Sequence, residues 1–187
     1  MNYEKAAGRL GRLLDGFFED KSRTLEDAAK ACVRSLRAGG KILVFGNGGS
    51  AAEAQHFAAE LVNRFLKTRP ALRAIALSTD TSVLTSVGND SGFDLIFSRQ
   101  VEALAERRDV ALVLSTSGNS PNVINGLKAA KKRSLVTIAM TGKGGGKMAR
   151  LADYLLDVPS SETPRVQEVH LVLLHLLAEE IENELSA

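Results

Sequence analysis

The stretch KILVF-GNGGS-AAEAQHFAAELV, residues 41–62, decides the fold. A short apolar run of strand character enters a glycine-rich turn and leaves it as a segment of helical spacing, the strand–turn–helix unit of a parallel α/β sheet. Outward from this unit the pattern repeats. The runs AIAL (74–77), VALVL (110–114), LVTIAM (135–140) and YLLDV (154–158) alternate with helical segments. Such runs predict parallel strands buried on both faces and joined by crossover helices. The expected architecture is α/β, a three-layer sandwich around a five-stranded parallel sheet.

Two helical patterns precede the first strand. Leu10, Leu13, Leu14, Phe17 and Phe18 fall at helical spacing within 4–19, and a second pattern runs from about 24 to 37 before Gly39 and Gly40. A closing helix is expected over about 163–185, and neither an internal repeat nor a linker is visible. The reading is a single domain over 1–187 with an N-terminal helical segment over 1–38. With 44% hydrophobic and 25% charged residues in 187, the chain has the material for one sizeable core.

Charge names no partner, because 24 Lys and Arg stand against 22 Asp and Glu with neither sign gathered into a block, so no nucleic-acid face is expected. Cys32, the single cysteine, excludes an intrachain disulfide and lies on an amphipathic helix, where a buried thiol is expected. Asp15, Glu19 and Asp20 interrupt any secretory signal, and no run approaches the ~20 apolar residues of a membrane span. Cytoplasmic localisation is the expectation.

Both glycine-rich loops follow strands, where ligands of open α/β sheets sit. In GNGGS, amides freed at a helix start favour an anion; Gly46, Gly48 and Gly49 allow close approach, and Asn47 and Ser50 add side-chain donors. The same residues also suit a tight turn with a Ser N-cap. In STSGNS (115–120), Ser115, Thr116 and Ser117 cluster after a buried strand, and Ser120 precedes Pro121 as either a donor or a cap. These hydroxyls point to phosphate.

Two nucleotide motifs fail. Gly46, Gly48 and Ala51 satisfy G-x-G-x-x-A, but no acid ends the second strand about 20 residues on. TGKGGGKM (141–148) places Met148 where a P-loop needs Ser or Thr, and its spacing is one residue short, so it reads as a loop.

His56 and Glu60 share a helix face, close to the first loop. The closing helix is apolar nearly all round (Val166, Val169, Leu173, Leu174, Leu177), so its polar groups need partners. At about 100° per residue, His175 lies roughly 80° from Gln167 and His170 roughly 60° on the other side. Geometry leaves either histidine open as the partner of Gln167, and a hydrogen-bonded core histidine is a fair reading of both.

GNGGS, QHFAAEL, SVGND (86–90), FSRQVEAL (97–104), STSGNSPNVI, TGKGGGKMA and RVQEVHLVLLHLL resemble the sugar-isomerase (SIS) domain family, and within it the phosphoheptose isomerases. The resemblance covers about residue 40 to the end. It implies a flavodoxin-like sheet, zinc held by His56, Glu60, Gln167 and His175, and a homotetramer with active sites at subunit interfaces. It also implies contacts to a sugar phosphate from Asn47, Gly48, Gly49, Ser50, Glu60, Asn89, Asp90, Ser115, Thr116, Ser117, Ser120 and Gln167. His170 becomes a second-tier candidate, and Asp90 alone would read as a turn residue.

The activity so implied is interconversion of sedoheptulose 7-phosphate and D-glycero-D-manno-heptose 7-phosphate through an enediol, toward ADP- or GDP-heptose for surface polysaccharide. Glu60 would be the base between C1 and C2, and His175 the acid partner between the two oxygens. Relatives often carry an acid three residues before the glutamine, where Pro164 stands here. SAAEAQHFAAELVNRF and RPALRAIALSTDTSVLTS also resemble a non-catalytic SIS protein that binds the bacterial replication initiator. That relative lacks an acid at the position of Glu60 and a histidine at that of His175, and both are present in this chain.

Overall fold

A computed structural model describes residues 3–186; residues 1, 2 and 187 of the expected 1–187 unit lie outside the described residues. Its helices are α1 (Tyr3–Arg37), α2 (Gly49–Val62), α3 (Thr81–Asp90), α4 (Ile96–Leu104), α5 (Pro121–Lys132) and α6 (Thr163–Leu185). The strands are β1 (Ile42–Gly46), β2 (Ala74–Ala76), β3 (Val110–Ser115), β4 (Val136–Thr141) and β5 (Tyr154–Asp157). All five pair in parallel in the order β2-β1-β3-β4-β5. That is the flavodoxin-like order, and α/β with a five-stranded parallel sheet is as the sequence predicts.

Strand side chains alternate between the two faces of the sheet. Ile42, Val44, Leu112 and Leu114 face a cluster built with Phe17, Ala28, Phe57, Leu61, Val169, Leu173 and Leu177, which are residues of α1, α2 and α6. Leu43, Phe45, Ala111 and Val113 face a second cluster with Phe97, Val101, Val123 and Leu127 from α4 and α5. Helices on both faces complete the three layers. The central strands β1 and β3 are buried along their whole length, which explains their unbroken apolar sequence.

The order places β1 at the switch point of the sheet. Its connection through α2 leads to β2 on one side, while β3 pairs on the other, and the register sets Gly46 beside Leu114. The loops after β1 and β3 therefore open side by side at one sheet edge, the crevice where such folds bind ligands.

One expectation is corrected. The two N-terminal helices are a single helix of 35 residues. The intervening Asp20-Lys21-Ser22-Arg23 contains no glycine or proline, so nothing in the backbone forces a break. Lys21 also reaches Asp157 at the end of β5, with Nζ 3.1 Å from Oδ1, which fastens the middle of α1 to the sheet. Cys32 is buried on that helix and its thiol is pushed up to about 12 by burial, so it packs as an apolar group.

Continuity of α1 predicts that Ser22→Pro, at an exposed position, lowers stability by about 3 kcal/mol through the backbone alone. Chemical denaturation measures this. An unchanged midpoint would show that the helix is interrupted there.

Candidate functional site

The first loop is shaped by glycine. Gly48 precedes α2 with φ 55° and ψ −121°, and no side chain caps the helix, so Ser50 is not its N-cap but a buried residue of the first turn. Its amide closes back on the carbonyl of Asn47 at 3.0 Å. The amides of the turn lie at the positive end of α2, an anion-attracting arrangement. A Cβ on Gly49 would overlap the carboxamide of Gln167, whose Oε1 would be 3.0 Å away, so the glycine is what lets α6 lay Gln167 against the loop.

The second loop presents hydroxyls. Ser115 Oγ lies 3.2 Å from Ser120 Oγ and 3.5 Å from Ser117 Oγ. Ser120 occupies the N-cap position of α5 but makes no side-chain cap, which leaves its hydroxyl in this cluster. Thr116 gives its carbonyl to the amide of Gly142 at 3.0 Å. The TGKGGGKM segment supports the second loop from behind. Lys147 N donates to Asn119 Oδ1 at 3.1 Å, Met148 N to the carbonyl of Gly118 at 3.2 Å, and a Cβ on Gly118 would collide with the backbone of Gly145.

A residue that sequence reasoning missed joins the loops. Asn122 is buried at the start of α5 and exchanges two amide hydrogen bonds with Asn47, at 2.9 and 2.8 Å. Asn122 Oδ1 also accepts from its neighbour's amide, Val123 N, at 2.9 Å. Asn47 was expected to face substrate, yet its side-chain amide is engaged in this clasp. The only signal for Asn122 was an asparagine after Pro121, where it resembles an ordinary first-turn residue.

Beyond the loops, α2 and α6 pack together and bring histidines from the two helices into contact. His56 Nε2 lies 2.8 Å from His175 Nε2, with ring centroids 5.0 Å apart and planes at 60°. Glu60 Oε1 lies 3.5 Å from His56 Nε2. Two imidazole nitrogens at that separation share one proton, since only one can donate. His175 is thus placed with His56 and Glu60. Gln167 stands two turns earlier on α6, roughly 12 Å back along the axis, against Gly49. The expected ligands form two adjoining groups, His56, Glu60 and His175 in one and Gln167 in the other.

His170 points elsewhere. It is fully buried and its Nε2 lies 3.1 Å from the carbonyl of Thr141. A carbonyl only accepts, so Nε2 carries the proton and Nδ1 is left without a partner. Burial lowers its pKa to about 4, against the opposing bond to Thr141. This second-tier candidate is a core histidine. Asn89 and Asp90 end the exposed helix α3, where Asn89 Nδ2 donates to Asp90 Oδ1 at 2.7 Å.

Glu53 is a second residue not foreseen. It precedes His56 by three positions and shares the face of His56 and Glu60, a spacing that was legible. Burial raises its carboxyl to about 7, opposed by a hydrogen bond with Ser50. Among the described residues, no three His, Cys, Asp or Glu side chains stand ready as a metal cage. The donor set, two imidazoles and a carboxylate, is nevertheless one that zinc accepts.

No helix among the described residues is long and apolar enough to cross a membrane.

The SIS domain model matches residues 7–142. A phosphoheptose isomerase of Aliarcobacter butzleri is 54% identical over 168 residues, 90% of this chain and 89% of that protein. One from Aquifex aeolicus is 55% identical over 166 residues, 89% and 87%. The solved phosphoheptose isomerase GmhA of Neisseria gonorrhoeae superposes with a TM-score of 0.90 at 44% identity, covering 97% of this chain and 98% of that one. The reading as a replication-initiator-binding protein finds no support in these relatives.

The buried state of His170 predicts a pH effect. Its folded pKa lies below the unfolded 6.5, so its contribution to stability is complete above pH 6.5 and is lost as pH falls toward 4. His170→Gln should flatten the decline of melting temperature between pH 7 and 4.5. A decline as steep as in the parent protein would contradict the assignment.

Proposed function

This chain belongs to the SIS domain family, and we propose that, like the phosphoheptose isomerases it is similar to, it interconverts sedoheptulose 7-phosphate and D-glycero-D-manno-heptose 7-phosphate. The observation that carries this reading is the meeting of His56, Glu60 and His175 beside two anion-favouring loops. From Gly49 to His56 is about 10 Å along α2, a span that suits a seven-carbon chain with its phosphate at the loops and its C1 and C2 at the histidines.

In this reading the hydroxyls of Ser115, Ser117 and Ser120 and the amides of Gly48 and Gly49 hold the phosphate, backed by the dipoles of α2 and α5. Gln167 binds the sugar beside the first loop. Glu60 takes a proton from C1 or C2 and returns it to the other carbon. His175 moves the proton between the two oxygens. Asn89 and Asp90 remain substrate contacts on the strength of the family resemblance.

His56, Glu60 and His175 would hold zinc, and the family resemblance adds Gln167 as the fourth ligand, which would have to swing from Gly49 toward the histidines. When bound, the ion would polarise the substrate carbonyl and steady negative charge on its oxygen. The assembly is a homotetramer with sites at subunit interfaces. Exposed Leu66, Phe93, Leu171 and Leu176 are surfaces such an assembly would cover. A cytoplasmic location and a place in making heptose for surface polysaccharide complete the proposal.

Turnover of sedoheptulose 7-phosphate by the purified protein tests it. Glu60→Gln should lower kcat by at least about a hundredfold, the scale of a lost general base. Equal turnover in that variant would refute the assigned base. Chelation should lower activity and zinc restore it; activity indifferent to chelation, with no zinc found by elemental analysis, would remove the metal from the account.

A further inference from the structure

Arg69 and Glu182 form a buried ion pair, with Arg69 Nε 3.0 Å from Glu182 Oε1 and both side chains 1% exposed. Desolvation makes such a pair weak as a source of net stability, so what its other hydrogen bonds hold is more informative. Glu182 accepts from three successive amides, Phe65 at 2.9 Å and Leu66 and Lys67 at 2.7 Å each. Arg69 donates through Nη2 to the carbonyl of Glu60 and through Nη1 to that of Leu61, both at 2.8 Å. The last carbonyls of a helix have no partner within it, and here a guanidinium supplies one at the residue assigned as the base.

The segment held by Glu182 carries Phe65. Its ring stacks on His175 with centroids 5.5 Å apart and planes at 26°, while His56 meets His175 at 60°. His175 therefore contacts both an imidazole and a phenyl ring. Glu182 lies seven residues beyond His175 on α6, nearly on the same face. One ion pair thus fixes the end of α2 that bears Glu60, the ring that covers His175, and the helix that carries His175.

We propose that Phe65 is a positioning residue that orients the ring of His175, and that the Arg69–Glu182 pair positions Phe65 and Glu60 together. The inference rests on the isomerase reading above. Neither Arg69 nor Glu182 touches the reacting atoms; they act through the two groups they place. Their work is to keep the base and the acid in mutual register, which a displacement of the 63–70 segment would lose.

The test uses the full-length protein as Phe65→Leu, Phe65→Tyr, Glu182→Gln and the Phe65→Leu/Glu182→Gln double variant. Kinetics with sedoheptulose 7-phosphate, zinc affinity by chelator competition, melting temperature and amide exchange over 63–69 are measured. Phe65→Leu should lower kcat about 3- to 10-fold, the scale of an aromatic pair, with KM and melting temperature held, and Phe65→Tyr should restore kcat. Glu182→Gln should release the amides of Phe65, Leu66 and Lys67 to exchange and lower kcat. The double variant should be no worse than the worse single one, because the two act on one geometry.

Unchanged kcat in Phe65→Leu, failure of Phe65→Tyr to rescue, or additive losses in the double variant would overturn the inference and leave the isomerase reading standing. If the parent protein shows no turnover, the isomerase reading fails and zinc affinity decides. A loss of about 3- to 10-fold in Phe65→Leu supports positioning, and an unchanged affinity overturns it. Should Glu182→Gln not fold, the Phe65 variants decide alone.

Discussion

The parallel pairing of β1 with β3 is the constraint on which the site depends. With Gly46 set beside Leu114, the chain leaves both strands at the same height, and two loops that are 69 residues apart in sequence, from Gly46 to Ser115, become neighbours. A slip of one residue would turn the side chains of a fully buried strand to the opposite face, so the two apolar clusters that grip β1 and β3 also fix the spacing of the loops. The Asn47–Asn122 clasp then ties the two loops with two hydrogen bonds.

A second layer of organisation comes from α6 lying along α2. Its apolar residues, among them Val169, Leu173 and Leu177, fill the core on one face of the sheet. Its polar residues leave that core at chosen points, with Gln167 at the first loop, His170 inward to Thr141, His175 at His56, and Glu182 under the 63–70 segment. Each of these meets a different neighbour, and His170 and Glu182, the two that are buried, are both hydrogen-bonded. A helix that supplies the core thereby also distributes the chemistry along about two turns of its neighbour.

What was legible in the sequence was local. The five strands were each found to within a residue or two because unbroken apolar runs between helical segments are written in consecutive residues, and the closing helix was placed correctly at 163–185. The choice between His170 and His175 was not open to periodicity, since both flank Gln167 on the helix surface; packing against α2 and β4 separates them. Asn122, Arg69 and Glu182 were invisible for a related reason. Each reads as an ordinary helix or loop residue, and its role arises from a partner 75 or 113 positions away. The sequence also left open whether Ser50 and Ser120 cap their helices; glycine geometry at one helix and hydroxyl clustering at the other direct them elsewhere.

The central claim is that phosphate lies at the two loops and the reacting carbons lie at the histidines. A crystal structure of the assembled protein with a bound heptose phosphate measures this directly. The account predicts phosphate oxygens within hydrogen-bond distance of the Ser115, Ser117 and Ser120 hydroxyls and of the Gly48 and Gly49 amides, with C1 and C2 between Glu60 and His175. A phosphate held away from both loops, or a sugar running in the reverse direction, would contradict it.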